Sequence, residues 1–328
     1  MRQFQKIPHE LKGVVESHRA GETLRPPPSL PSFVIDGRKV HYACAGLDKN
    51  PANTPVVLLH GFGGFFMDWP RVMAPISRHT RVYALDLPGW GFSEPNPNAK
   101  GLENDVEVLQ KFLEHLNLKN VLVCGISYGA GVAWAAAAMN IPRVSRAVLL
   151  NPMPPHPLKY LQSMIYRGIF FINSLGRFSS FAHKFMDKTQ YKIVCRENLL
   201  NDRLLDSFYL DLAYMVMKQP KIPYILGLHA DGAKTVDWND WEHRLAGTRI
   251  PVSILQGEQD RIFSMQSARY VHRLIPTSEL ITIQECGHAM VFDQHKKVSE
   301  FILRHVERQD AHEHTEEAFE NVRRQKRG

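Results

Sequence analysis

Val121-Leu122-Val123-Cys124-Gly125-Ile126-Ser127-Tyr128-Gly129 runs from an uninterrupted apolar stretch into a serine set between glycines, and mostly small residues follow from Ala130 to Ala138. The apolar run fits a buried strand and Tyr128 to Met139 fits a helix, so Ser127 falls at the turn between them. A serine on a sharp strand-to-helix turn can point its hydroxyl into a cleft, and Gly125 and Gly129 give the clearance that side chains would block. The helix N-terminus favours negative charge developing beside it. A tight turn with a solvent-facing serine would contain the same five residues; the strand before it and the helix after it weigh against that reading. A serine hydroxyl is a poor nucleophile near neutral pH, so chemistry at Ser127 requires a base and an acid that orients the base.

Outward from this unit, apolar runs alternate with helical stretches: VVLLHG from Val56, RVYALDLPG from Arg81, the amphipathic Glu103 to Leu118, then Arg146 to Asn151, Ile250 to Gln256 and Glu279 to Ile283. Such alternation predicts an α/β fold whose parallel sheet is flanked by helices. Phe33 to Ile35 and Lys39 to Ala45, separated by Asp36-Gly37, read as a hairpin. Between Pro152 and about Leu245 no comparable strand run occurs, while helix-period patterns rich in Phe, Met, Tyr and Leu do. The expected organisation is an N-terminal extension (1–31), a core in two pieces (32–151 and 246–307), a helical cap (152–245) and a polar C-terminal tail (308–328).

The partners for Ser127 are sought downstream at strand ends, where ligands and reacting groups gather in open α/β sheets. Asp260 lies just past Ile254-Leu255-Gln256-Gly257 and is the candidate acid, with Glu258 as competitor; a solvated turn or a pair with Arg261 would account for either. His288, in Cys286-Gly287-His288-Ala289-Met290, is the candidate base because it combines a strand-end position with the chain order Ser, Asp, His. His60-Gly61-Phe62-Gly63-Gly64 ends an earlier strand in a glycine-rich loop whose backbone N–H groups could receive an oxyanion, with the amides of Phe62 and Tyr128 as donors. This loop lacks the glycine and lysine spacing of phosphate-binding loops. His60 itself reads as structural.

HGFGG, DLPGWGFSEP (Asp86 to Pro95), GISYG, GEQD and CGHAM, in this order, resemble the α/β-hydrolase superfamily over about residues 32 to 307. The resemblance implies an α/β-hydrolase fold: a mostly parallel eight-stranded sheet flanked by helices, with a helical cap insertion. It carries the triad onto Ser127, Asp260 and His288 and the oxyanion donors onto Phe62 and Tyr128, and it calls for no metal or organic cofactor. Haloalkane dehalogenases and epoxide hydrolases are similar in several motifs but use aspartate at the elbow, so serine at 127 points to acyl transfer to water. A carboxylic ester is the expected bond. Thioester or carbon–carbon bond hydrolysis, a perhydrolase reaction and a non-catalytic receptor or scaffold are the alternatives.

Among 328 residues the formal charge is +7, and four positive charges fall within the last six residues, Arg323, Arg324, Lys326 and Arg327. That clustering removes most of the case for a nucleic-acid partner, and none is expected. Cys44, Cys124, Cys195 and Cys286 are scattered without metal-ligand spacing and read as reduced thiols, which suits a cytoplasmic location. The polar start of the chain lacks an export-type apolar segment. Met164, Ile165, Tyr166, Ile169, Phe170, Phe171, Phe178, Phe181, Phe185, Met186, Tyr214, Met215 and Met217 give the cap apolar surface for a small-molecule acyl substrate or for its own small core. With Lys159, Arg167, Arg177, Lys184, Lys188 and Lys192 among them, the cap also suits peripheral membrane contact.

Overall fold

Strands β3 (Val56–Leu59), β4 (Val82–Leu85), β5 (Val121–Ile126) and β7 (Val252–Gly257) are buried at every position. Continuous apolar runs of this kind are what parallel strands covered on both faces require. The computed structural model describes residues 2–20, 23–46, 54–96, 101–175, 177–201 and 206–306. With β1 (Ser32–Ile35), β2 (Arg38–Ala45), β6 (Val144–Leu150) and β8 (Ser278–Ile283), the strands form one sheet in the order β1-β2-β4-β3-β5-β6-β7-β8. The β1/β2 and β2/β4 pairings are antiparallel and all others are parallel. The hairpin forms where Asp36 and Gly37 both take positive φ, the two-residue turn that matches strand twist.

The chain steps from β3 outward to β4 and then returns to the other side of β3 as β5. The carboxyl ends of β3 and β5 therefore flank the point where the winding reverses, the place where α/β sheets open a crevice. Helices α1 (Arg2–Arg19), α2 (Pro70–Ile76), α3 (Gly101–His115) and α4 (Tyr128–Ala138) precede the large insertion. All eleven residues of α4 are buried, which its alanines and glycines allow because they let neighbouring elements approach closely.

The insertion contains α5 (Pro157–Tyr160), α6 (Met164–Asn173), α7 (Arg177–Phe185), α8 (Lys188–Asn198), α9 (Ser207–Met217), α10 (Ile222–Thr235) and α11 (Trp238–Ala246). Within the segment assigned to the cap, α11 packs on α4, with the Trp134 and Trp241 rings edge to face at 5.4 Å. The helices α12 (Met265–Leu274), α13 (Met290–Asp293) and 295–306 complete the core.

The N-terminal segment, polar by composition, is a helix that buries Leu11 and Val15 and contacts β2. Its Glu10 carboxylate accepts hydrogen bonds from the Ser29 amide at 3.0 Å and hydroxyl at 2.7 Å, and Arg19 pairs with Asp211 of α9. The tail 308–328 lies outside the described residues.

Candidate active site

Ser127 holds φ 53° and ψ −114°, a left-handed backbone that a serine adopts only when its surroundings enforce it. They do so at both ends: the Ser127 amide donates to Leu150 O at 2.9 Å, and its carbonyl accepts from Gly131 N and Met153 N, each at 3.0 Å. The flanking glycines are obligatory. A Cβ on Gly125 would stand 2.1 Å from Gly129 O, and one on Gly129 would stand 2.2 Å from Leu59 O.

The structure brings His288 and Asp260 together, with His288 Nδ1 2.8 Å from Asp260 Oδ2 and both side chains buried. Asp260 Oδ1 accepts from the amides of Ile262 at 2.7 Å and Phe263 at 3.1 Å, and Oδ2 also accepts from Gln256 Nε2 at 3.2 Å. Four donors hold this carboxylate in one orientation and compensate its burial. Glu258, the competitor, is exposed and accepts from neighbouring Gln259. Ser127 and His288 line the same cavity of about 430 Å³.

Gly61 to Gly64 form a turn closed by Gly64 N donating to Gly61 O at 3.0 Å, with Gly63 at φ 76°. This bond does not use the Phe62 amide, and Tyr128, as the first residue of α4, has an amide the helix cannot pair. Gly61 runs close to the elbow, since a Cβ there would come within 3.3 Å of Ser127 Cβ. Beneath the loop, His60 Nε2 accepts from Leu87 N at 2.9 Å, so Nδ1 carries the proton and donates to Gly61 O at 2.8 Å. Burial lowers the His60 pKa to about 4, which keeps this single-proton arrangement neutral. Asp86 accepts from the amides of Phe66 at 2.6 Å and Phe92 at 2.9 Å, and the close approach of Gly91 explains that glycine in DLPGWG.

Two cavities meet at the elbow, both lined by Ser127, Phe62 and Tyr166. The smaller, about 90 Å³, lies beneath α10 and is walled by Phe170, Ile225, Leu228 and His229. Phe62, Phe170, Trp90 and His229 form one ring cluster, in which Trp90 Nε1 donates to His229 Nε2 at 3.1 Å. The larger runs between α6, α7, α8 and α9, where Ile169, Met186, Tyr191 and Met217 line it.

Each cavity contains one buried carboxylate bonded to a tyrosine. Tyr128 OH donates to Asp105 and Tyr209 OH donates to Asp68, each at 2.6 Å. Burial raises the pKa of Asp105 to about 6 and that of Asp68 to about 7.

Sequence reasoning missed Asn151, Asp68, Asp105 and His229. Asn151 is the most consequential. It donates to Gly287 O at 2.9 Å and His288 O at 2.7 Å, and its Oδ1 accepts from Gly257 N at 2.6 Å, so it joins β6, β7 and the histidine loop. Its one sequence signal is a polar residue at a strand end, at the same level of the sheet as Ser127 and Asp260.

A family model described as alpha/beta hydrolase fold matches residues 54–294, and the chain belongs to that family. It is therefore a hydrolase of this fold class. Among curated relatives, a 2-hydroxy-6-oxononadienedioate/2-hydroxy-6-oxononatrienedioate hydrolase of Cupriavidus pinatubonensis is 27% identical over 261 residues, covering 78% of this chain and 88% of the relative. A 2-hydroxy-6-oxo-2,4-heptadienoate hydrolase of Pseudomonas putida is 27% identical over 256 residues, covering 75% and 86%. Among solved structures, the Cif epoxide hydrolase of Acinetobacter nosocomialis superposes with a TM-score of 0.72 at 20% identity, covering 90% of this chain and 96% of that one. At that identity the likeness is one of fold.

Proposed function

We propose that the chain is a serine hydrolase that cleaves a carboxylic ester with an apolar acyl group through an acyl-enzyme intermediate. The observation that carries this reading is the His288–Asp260 pair at 2.8 Å, sharing a cavity with a serine on a strained elbow. In the mechanism, His288 Nε2 takes the Ser127 proton as Oγ attacks the carbonyl. Asp260 holds the Nδ1 proton and stabilises the imidazolium. The Phe62 and Tyr128 amides receive the tetrahedral oxyanion, and His288 then protonates the leaving alcohol. Water, deprotonated by the same imidazole, releases the acid and restores Ser127.

The named relatives favour a second reading, hydrolysis of a carbon–carbon bond in a 2-hydroxy-6-oxo-dienoate. Such substrates are anions, and a buried carboxylate calls for a cationic partner. Among the described residues, the linings of the two cavities contain Asp68 and Asp105 but no lysine or arginine. That composition supports a neutral ester over an anionic dienoate.

The test is a kcat/KM series over p-nitrophenyl esters of increasing chain length, run beside a 2-hydroxy-6-oxo-dienoate. The ester reading predicts that esters are turned over at least about a hundredfold more efficiently, a margin that one unpaired buried charge supplies. The opposite order would replace it with the carbon–carbon reading.

A further inference from the structure

The apolar residues of the cap separate into an inner and an outer set. On α6, Tyr166, Ile169 and Asn173 line the larger cavity, while Met164 is 76% exposed and Phe171 65% exposed. Seven residues separate these two, so they lie on one line of the helix, and Leu175, eleven beyond Met164 and 46% exposed, extends that line into the following turn. On α7 and just after it, Ala182, His183 and Met186 line the cavity, while Phe181 is 62% and Phe185 66% exposed, with ring centroids 4.9 Å apart. α6 and α7 pack against each other, so these exposed side chains lie on neighbouring helices. Exposed apolar surface concentrated in this way marks an interaction site.

Its charge selects the partner. Between residues 164 and 197 the sequence carries Arg167, Arg177, Lys184, Lys188, Lys192 and Arg196 against Asp187 and Glu197, with Lys188 paired to Asp211 and Arg167 donating to Leu161 O. Lys184 and Lys192 are exposed, the first between Phe181 and Phe185 in sequence and the second on α8, next to exposed Ile193. Aromatic residues flanked by lysines suit the boundary between anionic headgroups and acyl chains. A second copy of the chain would bring like charges together. Ile172 links the patch to the site, because it is 41% exposed and also lines the cavity that reaches Ser127.

We propose that the outer face of α6 and α7 docks on an anionic lipid bilayer, and that the substrate is a bilayer-resident lipid ester whose acyl chain enters beside Ile172. The docking half stands on the patch alone; the substrate half rests on the serine-hydrolase reading above.

The test uses the full chain carrying Ser127→Ala, so that binding is read without turnover. Cosedimentation is measured with vesicles of phosphatidylcholine alone and with about a third phosphatidylserine, in low and high salt. Binding to the anionic vesicles is expected to be about tenfold tighter than to neutral ones and to weaken as salt screens it. Adding Phe171→Glu, Phe181→Glu and Phe185→Glu is expected to weaken it at least about tenfold. Lys184→Glu with Lys192→Glu, a milder change that leaves the apolar face intact, is expected to remove the preference for anionic vesicles. With Ser127 retained, both sets of substitutions should leave hydrolysis of a water-soluble short ester within about twofold and reduce hydrolysis of a vesicle-embedded ester about as much as binding.

Failure of the Ser127→Ala chain to sediment with either vesicle overturns the docking proposal. So does a charge-reversed variant that binds as before, or a dimer in light scattering that the triple-glutamate variant splits. Vesicle binding without hydrolysis of any ester overturns the ester-hydrolase reading and leaves docking standing.

Discussion

The strand ends of the core and the helices above them hold the same reaction space by different means. At the strand ends, directed hydrogen bonds do the holding: Ser127 is fixed at φ 53° by backbone bonds from both sides, Asp260 is gripped by two backbone and two side-chain donors, and the Asn151 amide ties β6, β7 and the histidine loop together. In the helices between β6 and β7, apolar side chains such as Phe170, Met186 and Met217 form walls through packing. Small-molecule sites commonly divide this way, with a few placed polar groups and many interchangeable apolar ones. Changes at the strand ends should therefore cost orders of magnitude in rate, and changes in the helices between β6 and β7 should redistribute substrates.

The largest expected effect is at the elbow. Ser127→Ala should lower turnover on the best ester by about 10⁴-fold or more without altering the circular dichroism spectrum. A folded variant that keeps a tenth of its activity would erase the contrast between the two regions. Phe170→Ala, which removes the ring stacked on Phe62 at 5.3 Å, should give a middle-sized effect of the opposite kind. KM for short esters should rise about tenfold while kcat holds within about twofold, and bulkier esters should gain. An equal fall in kcat for every ester would place Phe170 with the strand-end groups instead.

The smallest effect concerns Asp68, where the core meets α9 through Tyr209. Burial raises its pKa from the ordinary carboxylate range to about 7. The folded chain thus holds this proton more tightly than the unfolded chain does, so the associated stability is present below about pH 4 and is lost as pH rises through about 7. Asp68→Asn, which keeps the acceptor for Tyr209 but cannot ionise, should narrow the gap in melting temperature between pH 5 and pH 8 by about 2 °C or more. An unchanged gap would mean that Asp68 is not the titrating group at this junction.

The same contrast separates what could be read from sequence and what could not. Buried parallel strands advertise themselves as unbroken apolar runs, and Asp36-Gly37 and the glycines around Ser127 are demanded by backbone geometry, so the sheet and the elbow were legible residue by residue. Asp260 and His288 were legible because each follows a strand and because their order in the chain is restrictive. Asn151 and Asp68 were not, because a single polar residue in an apolar stretch gives no period and no spacing, and Asp105 was not, because it stands among Glu103, Asn104 and Glu107 on an amphipathic helix. The N-terminal helix was missed for a related reason, since its described buried apolar residues, Leu11 and Val15, make one helical turn among charges. In the cap, composition announced abundant apolar surface, but only the three-dimensional arrangement separates Ile169 and Met186, which line the cavity, from Phe171 and Phe185, which face outward.

Whether Ser127 is an activated nucleophile is read directly by covalent labelling with a fluorophosphonate probe, followed by mass spectrometry of the labelled peptide. A single phosphonyl adduct is expected on Ser127, absent from Ser127→Ala and at least about a hundredfold slower to form in His288→Ala, because without the imidazole the hydroxyl lacks its base. A folded protein that takes no label, or that takes it on a different residue at the same rate in all three forms, would contradict it.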